Sequence, residues 1–369
     1  MAEWSEVVNT TTAKYLKGAA DTTIRNRVIF AMLNRRKRIL YNESGTSLTW
    51  QVKFGMPDVQ TYEGGAIDFQ PTDKHRQCSL TWKGYTVPDM MHEKERLMNR
   101  GPQALIDRYA KIFPDMETAL TDQFGLEFYV NGTSSTSRFD GIESLFGGTT
   151  FGTTAATDKL AQPSVSYGGL STVPGAIAGA WSANLTPTTT MPNAALGTDW
   201  PSGQGDPEYG FHSPKLVNWS ASTWGTGLTT WLGNCERVLR QTTMWTRNGQ
   251  GKSGATDLYL MSPTMYVDYL NKQSAKQSII VPAKELLELG FNGVQQEGVE
   301  LTDDWGCPEN TAYGINFDRM WLHMMYDNLF VNKGPEFEMR SQSWLFLLAT
   351  YGNFRFESPI FFSKIYNYA

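Results

Sequence analysis

The sequence predicts an α+β fold, because segments with the period of strands and segments with the period of helices occupy separate parts of the chain. Apolar and polar residues alternate over 48–54 and 78–82, as in half-buried strands. A long helical stripe of apolar residues covers 105–124, and two more helices are predicted between 228 and 270. From residue 299 onward the pattern is mostly that of strands.

The composition excludes a disordered chain and favours one that buries surface in an assembly. Its 369 residues are enough for about two or three folding units. Only 19% of residues are charged, whereas 13% are aromatic, so much of the surface is expected to be uncharged and aromatic. No apolar run is long enough for a membrane helix or a signal peptide, so we expect cytoplasmic synthesis and no membrane partner.

The N-terminal 40 residues are basic, with eight Lys or Arg against three Asp or Glu, although the whole chain has a net charge of −5. One helix is predicted in this arm, with Asp21 or Thr22 as its cap. The helix is expected to run to a cluster of four cations, where positive charge complements the helix dipole. The basic cluster consists of Arg35, Arg36, Lys37 and Arg38. Charge by itself leaves two partners open to this cluster, nucleic acid and the acidic surface of a neighbouring copy.

The two alternating segments predict a hairpin ribbon over residues 45–87. Glycines and prolines between 55 and 75 indicate an elaborate tip. A two-stranded ribbon is marginal by itself, so its apolar face needs another surface to lie on. We expect a neighbouring copy of the chain to provide that surface, and the residues proposed to contact it are Trp50, Phe54, Leu80 and Trp82.

A strand, a helix and further short elements in the second half of the chain predict an α/β layer. Residues 257–261 form the strand, and Ser262 followed by Pro263 marks the start of the next helix. Before this layer, residues 147–214 are rich in Gly, Ser, Thr, Ala and Pro but keep several aromatics. That combination indicates loops packed on a surface.

No sequence motif indicates an enzyme, a cofactor or a metal site. The stretch 247–253 resembles the end of a phosphate-binding loop, but Thr246 stands where a glycine is required. Residues 91–96 start like a zinc-protease helix, but Arg96 replaces the second histidine. Cys78, Cys235 and Cys307 are widely spaced and are predicted to be buried free thiols. We therefore expect no catalytic, metal or cofactor residues.

The order of elements resembles that of the major capsid protein of tailed phages, the Hong Kong 97 type of shell protein. The resemblance covers nearly the whole chain and has local support in four places. These are Leu80–Asp89 before the long helix, Phe139–Ile142, Ser166–Leu170 together with Trp181–Asn184, and Gly352–Arg355 near the end.

This resemblance implies a Hong Kong 97-like capsid fold with five parts. They are an N-terminal arm (1–44), an extended β-hairpin loop (45–87), a peripheral domain with the spine helix (88–138), an axial domain (139–325, with an insertion at about 147–214), and a return to the peripheral domain (326–369).

The resemblance also implies self-assembly into hexamers and pentamers of an icosahedral head that encloses double-stranded DNA. Implied partners are further copies of the chain, a portal protein, DNA on the inner face and a decoration protein. The founding member of the family carries a long leader that is removed. Because the ribbon begins early in this chain, we expect a separate scaffolding protein and no removed leader. The implied location is the virion, after synthesis in the host cytoplasm.

Three other functions are compatible with the residues alone. The nearest is the shell of an encapsulin nanocompartment, although encapsulins lack such an insertion. The others are a soluble α/β enzyme with a large loop over its cleft and a phage tail component. For the basic cluster, we favour carboxylates of an adjacent copy over DNA, because fixed cations suit fixed carboxylates.

Overall fold

The computed structural model describes residues 27–53, 75–98, 108–133, 135–146, 166–171, 214–219, 230–247, 254–275 and 281–366, with the single residues 61, 64, 69 and 71. Its α-helices are α1 (Val28–Arg35), α2 (Glu93–Met98), α3 (Arg108–Glu127), α4 (Glu143–Phe146), α5 (Trp231–Arg247), α6 (Pro263–Ala275) and α7 (Lys284–Glu288). Its strands are β1 (Ile39–Leu40), β2 (Ser47–Lys53), β3 (His75–Thr81), β4 (Lys83–His92), β5 (Ser166–Tyr167), β6 (Leu170–Ser171), β7 (Lys215–Asn218), β8 (Leu258–Met261), β9 (Val281–Pro282), β10 (Val294–Gln296), β11 (Val299–Asp303), β12 (Ala312–Ile315), β13 (Met320–Met324), β14 (Val331–Glu338), β15 (Ser343–Phe356) and β16 (Ser363–Tyr366). Helices and sheets are mixed, so the predicted α+β class is confirmed.

The first large sheet is built around the long strand β15. Along one edge β15 pairs antiparallel with β4, and along the other it pairs antiparallel with β14 and then β13. Strand β1 adds to β13 in parallel. Alternate residues of β15, such as Phe346, Phe354 and Phe356, are buried, so one face of the sheet carries much of the core.

Helix α3 packs on this sheet through the stripe predicted from the sequence. Met116, Leu120 and Phe124 are buried, and the Phe124 ring lies 5.6 Å from Tyr85 and 4.9 Å from Phe139. The helix contains Pro114, which cannot donate a backbone hydrogen bond within it.

The second large sheet has seven strands in the order β7-β16-β12-β8-β11-β10-β9. Residues of α5 and α6 share a separate apolar cluster with it, including Trp231, Val238 and Tyr269. Helix α6 begins at Pro263, directly after the strand β8 and Ser262, as predicted. The final strand β16 belongs to this sheet, whereas β13 belongs to the first one. Late in the chain, the backbone therefore passes from the second sheet to the first between β12 and β13, and returns to the second between β15 and β16.

Helix α1 is shorter than the sequence predicts. Arg27 has an extended backbone, with φ −101° and ψ 118°, so α1 begins at Val28 and cannot be capped by Asp21 or Thr22. Those two residues lie outside the described ranges. Helix α1 also ends before most of the basic cluster, because Lys37 has a left-handed backbone with φ 54° as the chain turns into β1.

Candidate assembly surface

The ribbon predicted from the sequence is present as the antiparallel pair β2–β3. Trp50 lies opposite Cys78, and Leu48 lies opposite Leu80. These four side chains are buried, whereas the alternate residues of β2 are exposed. The predicted alternation is therefore confirmed over the paired strands, and Phe54 lies outside the described residues.

The apolar face of the ribbon lies on its own chain. Trp50 is only 6% exposed and donates a hydrogen bond from Nε1 to the carbonyl oxygen of Glu357 at 2.9 Å. Its ring centroid is 5.9 Å from that of Tyr167, and the Arg355 guanidinium lies over the ring at 5.3 Å. Trp50, like the buried Leu80, is thus a contact within the subunit, contrary to the expectation that a neighbouring copy covers it. The local pattern shows that one face is buried but not which surface covers it.

Trp82 differs from Trp50 because it stays partly exposed. It lies between β3 and β4 and donates from Nε1 to the Gly45 carbonyl oxygen at 3.0 Å. Its ring packs against the edge of the core. Contact between Trp82 and a neighbouring copy stays a prediction.

Arg36, in the basic cluster, binds two carboxylates of its own chain. Nη2 donates to Glu285 Oε2 at 2.9 Å, and Nη1 lies 3.3 Å from Asp257 Oδ2. The guanidinium also lies 5.0 Å from the centre of the Phe317 ring. Burial raises the pKa of Asp257, and the positive charge of Arg36 opposes that shift.

The other arginines of the cluster are paired in the same way. Arg35 binds Glu288, and Arg38 binds Asp318. The hydrogen bond from Arg35 lowers the pKa of Glu288. Lys37 is exposed. Contrary to expectation, the partners of the three arginines are thus carboxylates of the same chain, since α7 and the turn before β13 lie against the end of α1.

The structure adds one surface that the sequence prediction missed, at the end of the first sheet. Met90 and Leu345 are cross-strand partners and are 44% and 39% exposed. In the adjoining β14–β15 hairpin, Met339 is 85% exposed. We call Met90, Leu345 and Met339 the sheet-end patch. The apolar run over 345–348 could have predicted this exposed surface, because consecutive apolar residues place apolar side chains on both faces of a strand.

The described part of the chain shows no group of three or more His, Cys, Asp or Glu residues placed to hold a metal ion. Within the same ranges, no helix is both long and apolar enough to cross a membrane. The three cysteines are buried and free, as predicted, and burial raises the pKa of Cys307.

No protein-family model matches the chain, and no curated protein is similar to it in sequence.

Its fold is nevertheless similar to that of solved capsid structures over its full length. A chain of the cyanophage A-1(L) capsid asymmetric unit matches with a TM-score of 0.58 at 13% identity, covering 96% of each chain. A chain from the capsid of an empty GTA particle matches with a TM-score of 0.52 at 11% identity, covering 100% of this chain and 98% of the other. A structure from Mycobacterium phage Bobi gives a TM-score of 0.50 at 10% identity, over 99% and 98% of the two chains. The chain therefore has the Hong Kong 97 type of capsid fold, as the order of its elements predicts.

Proposed function

We propose that this chain is the major capsid protein of a tailed phage, a structural protein and not an enzyme. The observation that carries the proposal is the likeness to the cyanophage capsid chain, which covers 96% of both chains. On this proposal the chain assembles into hexamers and pentamers of an icosahedral head that encloses double-stranded DNA. A separate scaffolding protein, a portal protein and a decoration protein are the further partners, and the virion is its location.

The sheet-end patch supports an assembly role, because clustered apolar side chains on a surface favour burial against another protein. Met90 and Leu345 supply apolar area on the sheet, and Met339 projects from the adjoining hairpin. We propose that this patch, the partly exposed Trp82 and Phe54 contact neighbouring copies. The arginines of the basic cluster bind carboxylates of their own chain. We therefore do not expect them to be the main contacts with DNA on the inner face.

The proposal is tested by expressing the chain with and without the proteins encoded beside it and imaging the products by negative stain. We expect closed shells, or rings of six and five copies. A chain that stays monomeric at high concentration under all of these conditions would contradict the proposal. Shells that package a protein cargo and exclude DNA would instead favour the encapsulin alternative.

A further inference from the structure

A serine hydroxyl and an imidazole meet where the β14–β15 hairpin lies beside the end of β4. Ser343 is the first residue of β15, and its cross-strand partner is His92, the last residue of β4. Ser343 Oγ lies 2.7 Å from His92 Nδ1, and the Ser341 carbonyl oxygen, at 3.0 Å, is a second acceptor for the hydroxyl. An imidazole nitrogen at this distance can take the hydroxyl proton, which activates the serine as a nucleophile.

The peptide bond that precedes Ser343 is the acyl group within reach of this nucleophile. Attack by Ser343 Oγ on the carbonyl carbon of Gln342 closes a five-membered ring. The Gln342 carbonyl oxygen accepts a hydrogen bond from the backbone N–H of Glu93 at 3.0 Å. A backbone donor fixed at that oxygen stabilises the negative charge that develops there when the carbon is attacked. Nucleophile, base and oxyanion donor therefore surround one peptide bond.

The backbone just before this bond is strained. Gln342 has φ 48°, in the left-handed region that residues with a side chain rarely adopt. It ends the turn of the hairpin and is held in place because the next residue, Ser343, is already paired with Glu338 across the ladder. Breaking the bond after Gln342 frees this residue to leave the left-handed conformation. Backbone strain of this kind is a feature of functional sites, and here its release favours cleavage.

We propose that the chain cleaves itself between Gln342 and Ser343 through an ester intermediate. His92 Nδ1 takes the proton of Ser343 Oγ, and the oxygen attacks the carbonyl carbon of Gln342. The carbonyl oxygen becomes an oxyanion that the N–H of Glu93 binds. The imidazolium gives its proton to the Ser343 nitrogen, the C–N bond breaks, and an ester then joins Gln342 to Ser343 Oγ. Water hydrolyses this ester with His92 as base, which leaves a carboxylate on Gln342 and a free hydroxyl and ammonium group on Ser343.

The burial of the site suits both steps. Ser343 is fully buried, so bulk water does not compete with His92 for the hydroxyl group. Ser341 and Gln342, in the adjoining turn, are exposed. The ester carbonyl on Gln342 would therefore border on solvent, which supplies the water for hydrolysis.

The two products would stay together in one fold. Strand β15 pairs with β4 along one edge and with β13 and β14 along the other, and β16 lies between β7 and β12. The cut removes no strand and opens only the turn between β14 and β15. It lies within the sheet-end patch, between Met339 and Leu345, so cleavage would let the two parts of that patch move independently.

The proposal is tested by the mass of the denatured chain, after the purified subunit and assembled shells have been kept at neutral pH and sampled over days. We expect two fragments, residues 1–342 and 343–369, whose masses add up to the sequence mass plus one water. Neutral hydroxylamine, which cleaves esters, should increase their yield and leave a hydroxamate on Gln342. A single full-length mass in every sample, with and without hydroxylamine, would overturn the proposal. The subunit is measured without assembly, so this failure is separate from failure of the proposed capsid function.

Variants assign the roles of the two side chains. Ser343→Ala should abolish cleavage, whereas Ser343→Cys should retain it through a thioester. His92→Gln keeps a polar side chain without a base, and it should slow cleavage by about a hundredfold or more. The control is Ser341→Ala, which removes a hydroxyl of the same turn that binds Glu338 and should cleave like wild type. The same fragments from Ser343→Ala would show that another protease makes the cut, and would overturn the proposal.

Discussion

Arg36 stabilises the subunit by joining the end of α1 to carboxylates from two other parts of the chain. Its side chain is partly buried, so we expect Arg36→Ala to lower the free energy of unfolding by about 1–2 kcal/mol. The measurement is urea unfolding of the unassembled subunit. If the cluster acted only between copies or on DNA, the unassembled subunit would keep its full stability.

Lys37→Ala is the matched control for this measurement. Lys37 is exposed and directly follows Arg36, so the substitution removes the same charge at nearly the same place. We expect it to change stability by less than about 0.5 kcal/mol. An equal loss from both variants would show that net charge, and not the contacts of Arg36, matters.

Lys215 predicts a pH dependence of stability. Burial lowers its pKa to about 7 in the folded chain, whereas an unfolded lysine keeps its proton to about pH 10.4. Between these values the unfolded state binds the extra proton, so the free energy of unfolding should rise with pH. The cost of burying Lys215 is therefore fully present below pH 7 and vanishes near pH 10.

The pH dependence is measured by comparing wild type with Lys215→Met from pH 6 to pH 10. The methionine variant should gain most stability, relative to wild type, at the lowest pH, and the gain should shrink as the pH rises. Loss of the hydrogen bond from Nζ to the Ile360 carbonyl oxygen adds an offset that does not vary with pH. A stability difference that stays constant across the range would contradict the lowered pKa.

At the scale of elements, the two ribbon tryptophans should behave differently. Trp50→Ala removes a buried aromatic side chain and should destabilise the subunit by about 3–5 kcal/mol. Trp82→Asp changes a partly exposed side chain, so the subunit should stay folded while shell formation is impaired. Urea unfolding reports the first effect and negative-stain imaging the second. Normal shells from Trp82→Asp, or an unchanged subunit stability for Trp50→Ala, would contradict this assignment.

At the scale of the whole molecule, Arg27 links helix α3, which packs on the first sheet, to the second sheet. Its guanidinium binds Asp122 on α3, which packs on the first sheet, and Asp304, which follows β11 of the second sheet. A Cβ added at Gly125 would lie 2.4 Å from the Arg27 side chain, so the glycine makes room for it. Because removing one partner of a buried ion pair is costly, Arg27→Ala should lower the free energy of unfolding by about 3–5 kcal/mol.

Gly125→Ala tests the same contact without removing a charge, and it should also destabilise the subunit. The control is Arg96→Ala, since Arg96 binds Glu93 within its own helix and is more exposed. Its effect in urea unfolding should be below about 1 kcal/mol. Equal losses from Arg27→Ala and Arg96→Ala would show that the link between the sheets adds nothing.

The sequence by itself determined the kinds and order of the elements. Alternation around Trp50, the stripe ending at Phe124 and the Ser262–Pro263 helix start all appear where predicted. These features could be predicted because burial of one face imposes a period on neighbouring residues. The order of the elements was then enough to predict the capsid fold.

Only the tertiary structure decided what each buried face and each charge meets. Trp50 lies against Glu357, and Arg36 binds Glu285, although hundreds of residues separate each pair in the chain. Likewise, no sequence pattern indicates that Lys83 and Asn353 both bind the carboxylate of Asp140. A period shows that a side chain is buried, but its partner comes from a distant segment whose position depends on how the sheets pack.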